Sequence, residues 1–140
     1  MSLTNGSRDP SPALADDVGD VTIVVCSSCR RESDPQDQPR PGAVLAEDTR
    51  RAAQGTGIRV THVACLGNCK RALSAAILKS GSWSYIFGGL EPGSGADLVA
   101  GAGLLAGSRD GLMPFRPRPA SLKGGMVARI PPFDHLKDLP

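Results

Sequence analysis

The sequence predicts a single α/β domain: a strand–helix–strand unit, then a β-hairpin and a closing helix. Three observations predict it. Two short runs rich in β-branched residues, Val21–Val25 and Ile58–Val63, flank a stretch that carries helix signals. Two further apolar runs, Leu73–Leu78 and Trp83–Phe87, are separated by the turn-forming Lys79-Ser80-Gly81-Ser82. Beyond them Leu98, Val99, Ala102 and Leu105 recur at helical spacing. A chain of 140 residues has room for one core of ordinary size and not for two.

Taken in order, residues 1–19 are rich in Ser, Pro, Asp and Gly without a hydrophobic period, and read as a disordered leader. The first strand ends directly at Cys26. From Arg30 to Pro41 prolines and alternating charges make a loop. A helix follows over Pro41 to Gln54: proline is preorganised for the first turn, Glu47 stands four residues before Arg51, and Gly55 is placed as a C-cap glycine. The second strand stops just before Cys65. After the hairpin, a helix over Gly95 to Ala106 starts at Ser94, with Asp97 completing a weaker form of capping box. The domain so defined spans 20–109, and the proline-studded residues 110–140 read as a wrapping or mobile tail. A right-handed strand–helix–strand crossover with a hairpin and a last helix is the thioredoxin-like plan.

Composition removes several function classes. With 40% hydrophobic and 21% charged residues the chain is too apolar to stay disordered. Its longest low-polarity stretch, Ala96 to Ala106, is about half of the roughly 20 residues a bilayer span needs. The net charge of +2 is unevenly spread. The acidic leader is offset by a basic excess after residue 69, which suits an acidic redox or metal-handling protein partner better than nucleic acid and leaves a homodimer open. No basic segment followed by an apolar run opens the chain, so a cytoplasmic location is expected and the sequon Asn5-Gly6-Ser7 carries no weight. In a reducing compartment four cysteines point to metal binding or redox chemistry before structural disulfides.

The cysteines form C-x2-C and C-x3-C pairs, Cys26/Cys29 and Cys65/Cys69. In a strand–helix–strand unit both strands are parallel, so the loops leaving their C-terminal ends are neighbours and the four thiols converge at one edge of the sheet. Soft thiolates select Zn(II) or an iron–sulfur cluster. A pair on each of two loops suits a 2Fe-2S rhomb, with Cys26 and Cys29 on one iron and Cys65 and Cys69 on the other. Arg30-Arg31 and Lys70-Arg71 follow the pairs and are expected to lower thiol pKa, offset cluster charge and give a basic rim. As plain solvated charges they would do none of this.

The segment Cys65-Leu66-Gly67-Asn68-Cys69, at a strand end and before a hairpin, resembles the second cysteine pair of thioredoxin-like 2Fe-2S ferredoxins and of the corresponding subunit of respiratory complex I. The run from Val21 to Pro132 is similar to a bacterial family of predicted metal-binding proteins of unknown function. Tyr85-Ile86-Phe87-Gly88, Arg109-Asp110-Gly111 and Arg129-Ile130-Pro131-Pro132 carry that likeness. The resemblance implies a thioredoxin-like fold and an electron carrier or redox module holding a 2Fe-2S cluster on Cys26, Cys29, Cys65 and Cys69. Two departures stand out. The first pair is more closely spaced than in those ferredoxins, and Ala72-Leu73 stands where Ala-Pro is frequent.

Two other readings use the same residues. A zinc or other transition-metal binding or delivery protein would employ all four thiolates. A thiol–disulfide oxidoreductase would need only Cys26 and Cys29, but the loop after them is a poor helix and leaves no helix N-terminus to activate the first thiol. His62 is close enough in sequence to be an alternate ligand, and is more simply a strand residue. Gly101-Ala102-Gly103 falls inside a helix, which excludes a phosphate loop. Trp83, Tyr85 and Phe87 share one strand face, as core or as a cover for the metal. No Ser-His-Asp set or carboxylate pair supports an enzyme with its own substrate.

Overall fold

The computed structural model describes residues 21–29 and 39–136. The 1–19 leader and the Arg30-Arg31 pair lie outside the described residues. Five strands form one sheet: β1 (Val21–Cys26), β2 (Arg59–Val63), β3 (Ala75–Lys79), β4 (Ser84–Phe87) and β5 (Met126–Ile130), in the spatial order β2-β1-β3-β4-β5. β2 runs parallel to β1, and β3, β4 and β5 follow on the other side, each antiparallel to its neighbour. Helices α1 (Pro41–Ala52) and α2 (Gly95–Ala106) lie side by side, α1 over β1 and β2, α2 over β1 and β3. Two short helices, α3 (Ala120–Gly124) and α4 (Phe133–Leu136), flank β5. No described helix is long and apolar enough to cross a membrane.

Strand alternation builds the core. Ile23, Ile77 and Tyr85 are cross-strand partners, as are Val25, Ala75 and Phe87, and all six are fully buried. At about 1.5–3 kcal/mol for each large side chain removed from water, these two rows and the leucines of the helices hold the layers together. Leu45 of α1 and Leu98 and Leu105 of α2 complete that surface. The buried Thr49 satisfies its hydroxyl by donating to the Leu45 carbonyl at 2.7 Å. Glu47 pairs with Arg50 at 2.8 Å and with Arg51 at 3.7 Å, but these exposed pairs add little.

The start of α2 differs from the expected capping box. Ser94 makes no side-chain cap, and its hydroxyl instead accepts the Glu91 N–H at 3.0 Å. The orphan N–H of Gly95 is taken by Asp48 Oδ2 of α1 at 2.8 Å, while Asp97 accepts the Ser121 hydroxyl at 2.7 Å. A carboxylate from a neighbouring helix therefore caps α2 and ties it to α1. Gly101 serves packing: a Cβ there would stand 2.4 Å from Leu122 Cδ1 and 3.2 Å from Ile77 Cδ1.

The chain after 109, read from the sequence as a wrapping or mobile tail, is described as far as residue 136. Met113 and Leu122 are buried in the main core, Tyr85 Oη accepts the Met113 N–H at 2.9 Å, and β5 adds the fifth strand along β4. Prolines punctuate this segment, and Met113, Leu122 and the ladder of β5 tie its described residues to the sheet.

Candidate metal centre

Parallel pairing sets the geometry. Cys26 is opposite Val63 at the ends of β1 and β2, so both chains leave the sheet at one edge, and Cys65 follows two residues later. The inner residues of the first motif then bind the loops together. The Ser27 N–H and hydroxyl both donate to the Val63 carbonyl, at 2.8 and 3.1 Å, and the Ser28 hydroxyl donates to the Ala64 carbonyl. The Cys26 thiol also points to the Ala64 carbonyl, at 3.6 Å. Nothing in C-x2-C as a motif marks these serines as clamps.

Two glycines make room for the loops. Gly42, in the first turn of α1, donates its N–H to the Cys29 carbonyl at 2.9 Å. A Cβ at Gly42 would stand 2.2 Å from the Cys26 carbonyl oxygen. Gly88, at the end of β4, supports the second loop: a Cβ there would lie 2.5 Å from Asn68 Nδ2 and 2.8 Å from the Arg71 carbonyl oxygen. The second loop turns through Gly67 at φ +77°, whose N–H donates to Cys65 Sγ at 3.2 Å, and closes with a single 3-10 turn over Cys69–Arg71.

The four thiols stand as two unlike pairs. Cys26 and Cys29 are buried, and Cys65 and Cys69 are exposed. Burial pushes the Cys29 thiol up to about 11; the neighbouring Cys26 adds to the rise, and hydrogen bonds from the Ser74 N–H and hydroxyl oppose it. Cys69 is raised chiefly by its hydrogen bond with Cys65 and by that thiol's charge, and the charge on Cys26 reaches it too, so the loops sense each other electrostatically. Lowered thiol pKa values beside the dibasic residues were the expectation. The structure corrects it for Cys69, where the hydrogen bond with Cys65 and that thiol's charge raise the pKa although the exposed Lys70 and Arg71 follow; the Arg30-Arg31 pair expected to act on Cys29 lies outside the described residues.

Among the described residues no three His, Cys, Asp or Glu side chains gather as a single-ion site. Each cysteine pair can instead offer two sulfurs to one metal atom. His62 sits exposed on β2 opposite Val25. Tyr85 and Phe87 are core residues stacked with centroids 6.3 Å apart, whereas Trp83 is half-buried beneath the Arg129 guanidinium, 4.7 Å from its ring centre.

The family model described as a protein of unknown function, DUF1636, matches residues 23–132. The chain belongs to that family. The match runs from β1 past β5, so the DUF1636 unit takes in both cysteine pairs and the fifth strand. Among solved structures, this DUF1636 protein is similar to a thioredoxin-like [2Fe-2S] ferredoxin from Aquifex aeolicus, with a TM-score of 0.50 and 15% identity over 78% of this chain and 91% of that one. A structure of the wild-type form of a thioredoxin-like [2Fe-2S] ferredoxin from the same organism gives 0.48 and 11%, over 77% and 96%. The first likeness establishes the fold as thioredoxin-like. No curated protein matches the chain.

Proposed function

We propose that this DUF1636 protein is a one-electron carrier or redox module holding a 2Fe-2S cluster on Cys26, Cys29, Cys65 and Cys69. The observation that carries the reading is the delivery of four thiols, as one buried and one exposed pair, by the loops that leave two parallel strands at one sheet edge. This is the donor set of a two-iron rhomb, with two sulfurs for each metal atom. The similar fold of the Aquifex aeolicus thioredoxin-like [2Fe-2S] ferredoxin adds support. When bound, the cluster supplies reversible uptake of one electron. The chain's own residues do the rest: Ser27 and Ser28 fix the distance between the loops, burial shields Cys26 and Cys29, and the exposed Cys65 and Cys69 turn that half of the centre toward solvent. The protein acts on no substrate of its own and works in the cytoplasm.

Metal and sulfide analysis of anaerobically purified full-length protein tests this. Two irons and two sulfides per chain, with visible absorption and a paramagnetic signal after reduction, are expected. A colourless protein carrying zinc would assign the thiolates to zinc binding or delivery instead.

The exposed Lys70 and Arg71 form a basic rim beside Cys69, fitted to an acidic protein partner. A small anionic reductant reports the same field. Reversing both residues to Glu should slow reduction of the loaded protein by dithionite about tenfold at low ionic strength and leave the iron content unchanged. Equal rates for the two proteins at low salt would make these ordinary solvated charges.

A further inference from the structure

The two cysteine loops are anchored by different chemistry. The outer loop is tied down by neutral groups: Asn68 Nδ2 donates at 3.0 Å to the hydroxyl of Ser74, the residue before β3. The inner loop is gripped by a cation. Arg40 Nη1 donates to the Ser28 carbonyl at 2.9 Å, and two residues further on the Gly42 N–H donates to the Cys29 carbonyl at 2.9 Å. The start of α1 thus holds the last two residues of C-x2-C.

Pro41 accounts for the placement. A residue before proline is pushed out of the helical region, and Arg40 is extended, at φ −63° and ψ 135°. Its carbonyl accepts the Ala43 and Val44 N–H groups at 2.9 and 3.1 Å. Its side chain makes no cap, because a guanidinium only donates and the orphan groups at a helix start are themselves donors. It reaches across to the cysteine loop instead. Covalent geometry then keeps a nitrogen 2.9 Å from the Ser28 oxygen within about 9 Å of the Cys29 sulfur. A cation at this end of α1 stands against the positive pole of the helix dipole and destabilises the helix. Negative charge arriving on the loop reverses that balance.

We propose that Arg40 is the fixed cation of the buried cysteine pair and raises the reduction potential of the centre. This rests on the iron–sulfur reading above. Ferric ions, sulfides and four thiolates in a two-iron rhomb sum to a net negative charge, and an added electron increases it. A cation held beside Cys29 therefore stabilises the reduced form more than the oxidised one. Cys29 is 6% exposed, so little water screens the sulfur itself, whereas Arg40 is exposed and its field responds to salt.

The test is a potentiometric titration of the loaded full-length protein, one electron passing from dithionite to a ferric ion with no bond formed or broken. At the wild-type midpoint and low ionic strength, the reduced-to-oxidised ratio should fall about threefold in Arg40→Gln, equivalent to about 28 mV for one electron. Arg40→Glu should lower it about tenfold, or about 59 mV. Arg40→Lys, which keeps the charge, should stay near wild type. At about 1 M salt, where the Debye length is about 3 Å, the variants should converge on wild type. Urea unfolding of the metal-free proteins should move the other way, Arg40→Glu unfolding at a higher midpoint than wild type because a carboxylate suits the helix start. A merely structural role would lower that urea midpoint and give potentials that do not depend on salt. A wild-type potential in Arg40→Glu with two irons per chain, or a shift of equal size at both salt concentrations, overturns the inference alone. A colourless zinc protein, seen in the metal analysis, overturns the reading beneath it and the inference with it. Should Arg40→Glu fail to hold iron, Arg40→Gln decides by the same measure: a salt-dependent fall supports the inference, and an unchanged midpoint overturns it.

Discussion

Replacing Gly42 by alanine should cost about 3 kcal/mol of stability and strip the first cysteine pair of its geometry. The added Cβ would lie 2.2 Å from the Cys26 carbonyl oxygen, 2.9 Å from the Cys29 nitrogen and 3.1 Å from the Cys29 Cβ. Two of those atoms are backbone, and Cys26 ends β1, which is paired on both sides, so no flexible side chain can swing clear. The helix has to back away. That motion also stretches the bond from the Gly42 N–H to the Cys29 carbonyl. Gly103→Ala is the control, because nothing lies within 4 Å of a Cβ at that exposed position of α2. There the change should stabilise by about 0.5–1 kcal/mol through helix propensity. Urea unfolding of both variants should therefore move in opposite directions, and the loaded Gly42→Ala protein should lose visible absorbance faster than wild type under oxygen. A Gly42→Ala midpoint equal to wild type would mean that α1 is not seated on the first loop.

These two glycines also show which parts of the architecture are legible in the chain. Strands ending at Cys26 and shortly before Cys65 are local facts: short β-branched runs have period 2, and parallel pairing then brings the loops together without further instruction. The hairpin is equally local, being two apolar runs around a turn. By contrast, whether a glycine is needed for close approach depends on what lies opposite in space. Gly42 and Gly103 both sit in helices, and only the packing distinguishes them. Ser74 and Asn68 are silent in the same way, since a serine before a strand and a variable position in C-x3-C have no period and no charge. β5 escaped because Met126–Ile130 is short and framed by glycines and prolines, and because its partner β4 is more than thirty residues away in the chain. The capping of α2 by Asp48 is likewise a contact between helices rather than a pattern along one of them.

Arg118 is expected to be the residue that keeps the final segment on the sheet, and replacing it by methionine should cost about 3 kcal/mol. Its side chain is 7% exposed, and burial opposes its charge. All three nitrogens of the fork nevertheless donate. Nη2 donates to the Met113 carbonyl at 2.7 Å, Nε to the Pro114 carbonyl at 3.1 Å, and Nη1 to the Leu122 carbonyl at 3.4 Å. The guanidinium also lies 5.2 Å from the centres of both the Tyr85 and Phe115 rings. It therefore joins the loop before α3, the end of α3 and the core of β4 through one planar group. Methionine fills much of the volume and removes the cost of a buried charge, but it leaves three carbonyls without their donor. Lysine keeps the charge, yet three donors on a single nitrogen cannot span carbonyls arranged for a fork, so Arg118→Lys should recover less than half of the loss. The effect should be uneven across the sheet. Hydrogen exchange at the β5 amides should accelerate in both variants, while the β1 amides, held between β2 and β3, should open only with global unfolding. Uniform acceleration would make Arg118 a general core residue, and a wild-type urea midpoint in both variants would show that the strand is held by its ladder to β4 alone.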